Sequence, residues 1–326
     1  MSYLSLSEIK SGMTLEQVLV SPDGKMVFGQ GTIVNDCLLA RLNDWKVEGA
    51  EVAEEAIEFD FAEIEKIISV VTLGMTDKPE MKKMVQHAAE LHMKIETELK
   101  RIFMLTRYHG AVPMDTLIHL VDKKIYPRLS QLDSFEQLHT QAAASDYLYR
   151  HALDVAFIAG YLGRWLGYGD GDIWNLTLAG LVHDIGKTKI NFEMLSKSGR
   201  LNADEFKIAK NHTVWSYQLL AQTEFVSTVV LKAVLEHHEK LDGSGYPYRL
   251  QGNEITMLAR IIAVADIYDA LISNRYYHKG ISPQEAIEIM VFQMANQLDT
   301  HVLACLIENL AQIGMIKIPV LYNSAI

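Results

Sequence analysis

Two apolar runs in the second half of this chain stop abruptly at ionisable side chains: residues 178–182 lead into His183-Asp184, and residues 261–265 lead into Asp266. Runs of this composition pack as buried helices, and a charge at the end of a buried helix is costly unless it is paired or bound to a cation. Whatever the chain folds into must therefore bring partners to these positions. Matching chemistry occurs at three more places, His151, His212 and the pair His237-His238. Neutral imidazole nitrogen and carboxylate oxygen are the donors that iron, manganese and zinc accept. The set His151, His183, Asp184, His212, His237, His238 and Asp266 exceeds the need of a single ion. Taken one at a time each has a plainer reading, His151 and His212 as packed histidines and His237-His238-Glu239 as a solvated helix end. His87, His92 and His119 are read as packed or solvated residues.

A chain of 326 residues is long enough to divide into two domains. Its 49% hydrophobic and 22% charged residues are those of a globular protein. With 30 Lys and Arg against 41 Asp and Glu, the formal charge of −11 opposes attraction to duplex nucleic acid or an acidic membrane. A phosphate-bearing ligand then needs a local cationic site. No run of apolar residues reaches membrane-spanning length: Arg164 interrupts 155–166, and Asp266 and Asp269 interrupt 261–272. Glu8 and Lys10 come too early for an export signal, and Cys37 and Cys305 make no disulfide framework, so the expected location is cytoplasmic.

Along the first 60 residues, Ser11-Gly12, Pro22-Asp23-Gly24 and Gly29-Gln30-Gly31 punctuate short apolar segments, which predicts a small strand-containing module with one helix near 36–45. From about residue 78 to 109 the period changes to that of one helix face, through Met84, His87, Ala88, Leu91, Ile95, Leu99, Ile102 and Phe103. Further helices are expected at roughly 146–166, 172–185, 203–222, 225–239, 256–273 and 283–297. The fold class is mainly α, an all-helical domain over 141–326 preceded by a smaller mixed α/β domain over 1–140. The N-terminal part carries no phosphoacceptor cluster, nucleotide loop or haem motif and is read as regulatory or interacting, with a helix at 78–109 that serves dimerisation, signalling or simply the core.

His183-Asp184-Ile185-Gly186-Lys187, followed by His237-His238-Glu239-Lys240-Leu241-Asp242-Gly243-Ser244-Gly245-Tyr246-Pro247, resembles the HD-GYP family of HD-domain hydrolases, which degrade the bacterial second messenger cyclic di-GMP. The resemblance takes in His151 with Val155-Ala156 and Asp266-Ile267-Tyr268-Asp269-Ala270-Leu271, and covers roughly residues 146 to 310. It implies an HD-type fold for the helical domain. It also implies that the seven residues named above ligate two divalent metal ions, with Asp184 as the bridge. Iron is the expected metal, with manganese and zinc as alternatives. Some relatives add a third ion through a Glu one turn before the first His; Tyr147 stands there in this chain, which favours two.

The activity the resemblance implies is hydrolysis of cyclic di-GMP to pGpG or GMP by a hydroxide bridging the two ions. Lys187 would bind a phosphate oxygen or supply a proton to the leaving 3′ oxygen, and Arg275, with Lys279 or His278, would hold phosphate. By residue type alone these cations read as a solvated patch. Gly243, Gly245, Tyr246 and Pro247 shape a loop expected beside the metals, in contact with substrate or with a signalling protein. By Gly and Pro alone it is a surface turn. Several positions depart from the family pattern: Lys189-Ile190-Asn191, Lys197-Ser198-Gly199, Thr213, Ser216 and Tyr276. None removes a ligand, but they bear on substrate fit and loop shape. Alternatives are a related phosphohydrolase of another nucleotide, and a slow, metal-bound receptor or scaffold.

Overall fold

The computed structural model describes residues 2–5, 8–9, 14–15, 19–20, 26–28, 49–53, 79–130, 147–195, 197, 199, 201–223, 225–274 and 279–317. The chain divides into two compact units, Met1–Gly74 with Ile287–Ile326, and Met75–Ala286. In the first unit, β1 (Ser2–Ser5) runs antiparallel to β5 (Gly49–Ala53), and β2 (Thr14–Leu15) pairs with the other edge of β5. A second ribbon joins β3 (Leu19–Val20) to β4 (Met26–Phe28). Of these short strands, β2 and β3 fall between the turn signals at 11–12 and 22–24, and β4 falls between those at 22–24 and 29–31. The helix expected near 36–45 lies outside the described residues.

The second unit is helical: α1 (Pro79–His109), α2 (Met114–Leu120), α3 (Tyr147–Trp165), α4 (Asp170–Val182), α5 (Phe192–Leu195), α6 (Ala203–Lys210), α7 (His212–Leu220), α8 (Thr228–Glu236) and α9 (Met257–Ile272). Two more helices follow, α10 (Pro283–Gln293) and α11 (Thr300–Gln312). Every residue of α3 from His151 to Gly163 is buried, so this helix is enclosed on all sides rather than on one stripe. It packs along α4 and across α9. The i, i+4, i+7 face of α1 buries Ile95, Leu99, Ile102 and Phe103 against α3 and against the 3-10 turn Ile185–Lys189. Each such side chain contributes roughly 1.5–3 kcal/mol of burial. No helix among the described residues is long and apolar enough to cross a membrane.

The helices are shorter than the periodicity predicts, and the difference places the ionisable motifs. α4 stops at Val182, so His183-Asp184 lies just beyond its end; α8 stops at Glu236, so His237-His238 does the same. The single helix expected over about 203–222 is broken at Asn211, which ends α6 and precedes α7, so that His212 opens a new helix. α6 is fixed at its start by a capping box: the Asn202 side chain accepts from Glu205 N, and the Glu205 carboxylate accepts from Asn202 N.

The turn after His183-Asp184 lies directly on α7. A Cβ on Gly186 would stand 2.1 Å from the His212 carbonyl oxygen, so only glycine allows this approach. Ser216 locks the contact, its Oγ accepting from Gly186 N at 2.7 Å and donating to His183 O at 2.7 Å. A position that departs from the family pattern therefore ties two ligand-bearing segments together. Ser216→Ala should strand the buried Gly186 N–H and lose about 1–3 kcal/mol of stability in denaturant unfolding; a loss under about 0.3 kcal/mol would contradict the role given to this hydroxyl.

Candidate metal centre

Helix ends leave backbone carbonyls without intrahelical partners. Three imidazoles use them. His183 Nδ1 donates to Gly180 O, His212 Nδ1 to Ala209 O and His237 Nδ1 to Val234 O, each at 2.7 Å. A carbonyl can only accept, so in each neutral ring the proton sits on Nδ1 and the Nε2 lone pair faces inward. His151 is held by carboxylates instead, with Nδ1 2.6 Å from Asp269 Oδ2 and Nε2 3.0 Å from Asp266 Oδ1. His238 turns its Nδ1 toward Asp266 Oδ2 at 3.7 Å.

The inward atoms converge. Asp184 points Oδ1 at His212 Nε2 (3.2 Å) and Oδ2 at His183 Nε2 (3.4 Å) and His151 Nε2 (3.9 Å). Three ligand sets each have donor atoms within 4.8 Å of one another: His212, His237 and His238; His151, His183 and Asp266; His183, Asp184 and His237. All seven residues expected from the sequence are thus in one cluster, all buried except the half-buried His238. The His-His-Glu segment is no solvated helix end: Glu239 is buried and accepts from Tyr248 N at 2.6 Å and Leu250 N at 3.0 Å.

The arrangement fits divalent cations on grounds of its own. His212 Nε2 and His237 Nε2 lie 3.4 Å apart with both lone pairs turned to the same space. His183 Nε2 and Asp184 Oδ1 are buried without a hydrogen-bond partner among the described residues. Acceptor facing acceptor in a buried site is unfavourable until a cation sits between them.

Charge states follow the same geometry. Burial lowers the pKa of His212 to about 4 and of His238 to about 3, and pulls His237 well down, so all three are neutral ligands near pH 7. Burial also opposes charge on His151, yet Asp266 and Asp269 outweigh it and push the ring up to about 9. Burial resists ionisation of Asp184 and Asp266, but Lys187 and the imidazoles hold Asp184, and His151 and His238 hold Asp266, well below the usual carboxylate range. Burial, with the charge of Asp154, raises Asp269.

Lys187 extends from the 3-10 turn to pair with Asp184 Oδ2. Its backbone carbonyl and that of Ile190 accept from Arg107 at the end of α1, at 3.3 and 2.8 Å. Tyr246 reaches the cage, its ring centroid 4.8 Å from that of His238, and its backbone N–H donates to His238 O at 3.1 Å. The Tyr246-Pro247 peptide is cis. Gly243 sits at φ 76°, a turn that favours glycine, and is not among the cage residues. Lys279 is exposed and makes no hydrogen bond or ion pair to the cage among the described residues. Arg275 and His278 lie outside the described residues. Tyr147 stacks on His151 at 5.3 Å and brings no carboxylate to it.

The sequence reading missed Asp269, Arg107 and Ser216 as site residues. Asp269 had a signal: it follows Asp266 by three positions on an apolar helix, hence on the same face. Arg107 and Ser216 had none, since both act through backbone atoms of a distant segment. His92 is packed as expected, stacked on Phe157 and 3.1 Å from Asp154.

Three outcomes are expected. Because His151 is protonated below about 9 in the metal-free protein, loading near neutral pH should release on the order of one proton per chain, read by calorimetry in buffers of different ionisation enthalpy. Asp269→Asn should weaken metal affinity by roughly 10- to 100-fold by freeing the His151 ring; unchanged affinity would exclude an orienting role. Conversely, the low values of His212 and His238 contribute stability above pH 6.5 that the metal-free protein loses as pH falls through about 4.

The HD domain family model matches residues 129–302, more than half of the chain. The chain is 34% identical over 206 residues to "Cyclic di-GMP phosphodiesterase PA4108" of Pseudomonas aeruginosa, covering 63% of this chain and 50% of that protein. It is 37% identical over 177 residues to "3'3'-cGAMP-specific phosphodiesterase 1" of Vibrio cholerae, covering 54% and 41%. To "Cyclic di-GMP phosphodiesterase response regulator RpfG" of Xanthomonas campestris pv. campestris it is 31% identical over 204 residues, covering 60% and 54%. The chain thus spans about half the length of these relatives. Among solved structures, Bd1817, a HDG"Y"P protein from Bdellovibrio bacteriovorus, shares the fold at a TM-score of 0.56 and 16% identity, over 94% of this chain and 97% of that one. With its His-Asp pair, its His-His pair and its Gly-Tyr-Pro loop meeting in one cluster, the chain belongs to the HD domain family.

Proposed function

We propose that this chain is a metal-dependent phosphodiesterase that hydrolyses cyclic di-GMP to pGpG, GMP or both. The observation that carries this reading is the buried set of imidazole and carboxylate acceptors facing one another beside the Lys187 ammonium. Two divalent ions, iron first with manganese or zinc as alternatives, would be held by His151, His183, Asp184, His212, His237, His238 and Asp266. When bound, they supply a water of lowered pKa and positive charge on the phosphodiester oxygens.

In this reading Lys187 takes part in the reaction. One side of its ammonium meets Asp184, and its side chain keeps 27% of its surface exposed, so the other side is open to substrate. There it binds a phosphate oxygen, or gives its proton to O3′ as the P–O3′ bond breaks and a water oxygen bonds to phosphorus. Arg107 keeps the lysine's backbone in place during this exchange. Tyr246, against His238, forms the wall on the loop side, and Gly243 sets the course of the loop. Arg275 and Lys279 are proposed to hold phosphate.

Names of relatives support a cyclic dinucleotide, and two such ligands occur among them: cyclic di-GMP, and 3'3'-cGAMP in a relative 37% identical over the matched residues. The second is therefore a specific alternative substrate. In the same reading, residues 1–140 are a regulatory or interaction domain, 141–326 the catalytic domain, and the protein acts in the cytoplasm.

Anaerobic purification, loading with iron or manganese, and chromatography after incubation with each dinucleotide tests the proposal. Asp184→Ala should abolish metal binding and turnover together, and Lys187→Met should lower kcat by roughly 10²-fold or more while metal content stays put. Metal-loaded protein that leaves both dinucleotides intact defeats the enzymatic reading; if it still binds one of them, the receptor alternative takes its place.

A further inference from the structure

Lys210 has no place in the cage, yet its position is closely defined. It is the last residue of α6, two positions before the cage residue His212. Its ammonium lies 4.6 Å from the ring centroid of Phe206 and 5.2 Å from that of Tyr246, within the range of cation-π attraction. Tyr246 in turn packs on His238 at 4.8 Å and faces His212 at 6.4 Å. The two rings therefore fix a positive charge at the rim of the metal cluster.

Its charge meets no ion-pair partner among the described residues, whereas Lys197, beside the same helix, is bound by Glu205 at 2.6 and 2.8 Å. The Tyr246 phenol, pushed up by burial, stays neutral and offers no counter-charge. In a chain of formal charge −11, a cation held by ring faces alone at the mouth of an anion-processing site is conspicuous. Phe206 exposes 50% of its surface at the same rim, a flat apolar platform of the kind on which bases stack.

We propose that Lys210, held between Phe206 and Tyr246, binds the second, uncleaved phosphodiester of a cyclic dinucleotide. The inference rests on the cyclic-dinucleotide reading given above. Such a ring carries two phosphodiester anions; the one being cut lies against the metal ligands and Lys187, with Arg275 and Lys279 as its proposed holders, and the other needs a separate cation. Because this phosphate is unchanged by the reaction, Lys210 contributes equally to the ground and transition states, which appears in KM and not in kcat.

The test is steady-state kinetics of the metal-loaded full chain on the dinucleotide it cleaves. Lys210→Gln should raise KM roughly tenfold with kcat within about twofold, and Lys210→Arg should restore most of the affinity. Lys207→Gln removes the same charge from an exposed site on the same helix and should leave both constants unchanged. Metal content, by elemental analysis, separates loss of the subsite from damage to the cage. A Lys210→Gln KM within twofold of the wild type overturns the subsite, as does an equal rise in Lys207→Gln, which would mark a diffuse charge effect. Those results leave the dinucleotide reading standing. Wild-type protein that hydrolyses bis(p-nitrophenyl) phosphate but neither cyclic dinucleotide overturns that reading and the subsite with it.

Discussion

The hydrogen bond from a histidine Nδ1 to the carbonyl three residues earlier occurs at His183, His212 and His237, and the site depends on it. Each bond meets a need of the backbone, because a carbonyl near a helix end is otherwise unpaired in a buried place. Each also decides which nitrogen keeps its proton, and so turns a lone pair toward the centre. One interaction thus ends or opens a helix and prepares a ligand. His151 is seated by a different device, a carboxylate of α9 on each ring nitrogen, and in the metal-free protein it carries a charge that those two acidic groups balance.

Close approach of the segments makes these ends meet. Gly186 lets the turn after Asp184 lie on α7, and Ser216 ties it there with one bond to each of two backbone groups. Glu236 and Glu239 do the equivalent work on either side of the His-His pair, the first accepting from both Thr256 N and Oγ1 at the start of α9, the second from the loop after Tyr246. Backbone donors and the Thr256 hydroxyl satisfy these buried carboxylates, so they stand beside the cage without joining it.

Much of this was legible in the residues. The apolar runs ending in His183-Asp184 and Asp266 announce that buried helix ends must be neutralised, and the remaining histidines supply the means. The amphipathic period of α1 places its buried face at Ile95, Leu99, Ile102 and Phe103. Helix boundaries were less legible. Periodicity continues through Asn211 because residues on both sides are apolar at helical spacing, while the break depends on a bond from the His212 ring to Ala209 O that no local pattern encodes. Contacts between a side chain and a distant backbone carbonyl, such as Arg107 on Lys187, are invisible for the same reason: the acceptor has no identity in the sequence.

That last contact separates two properties of the protein. The imidazoles are seated by carbonyls of their own segments and by Asp269, whereas Lys187 is moored to a 31-residue helix, roughly 46 Å long at 1.5 Å per residue. A small axial slip of that rod would re-aim one ammonium and leave the imidazole and carboxylate cage in place. In the reading proposed above, turnover would then change with no change in metal occupancy.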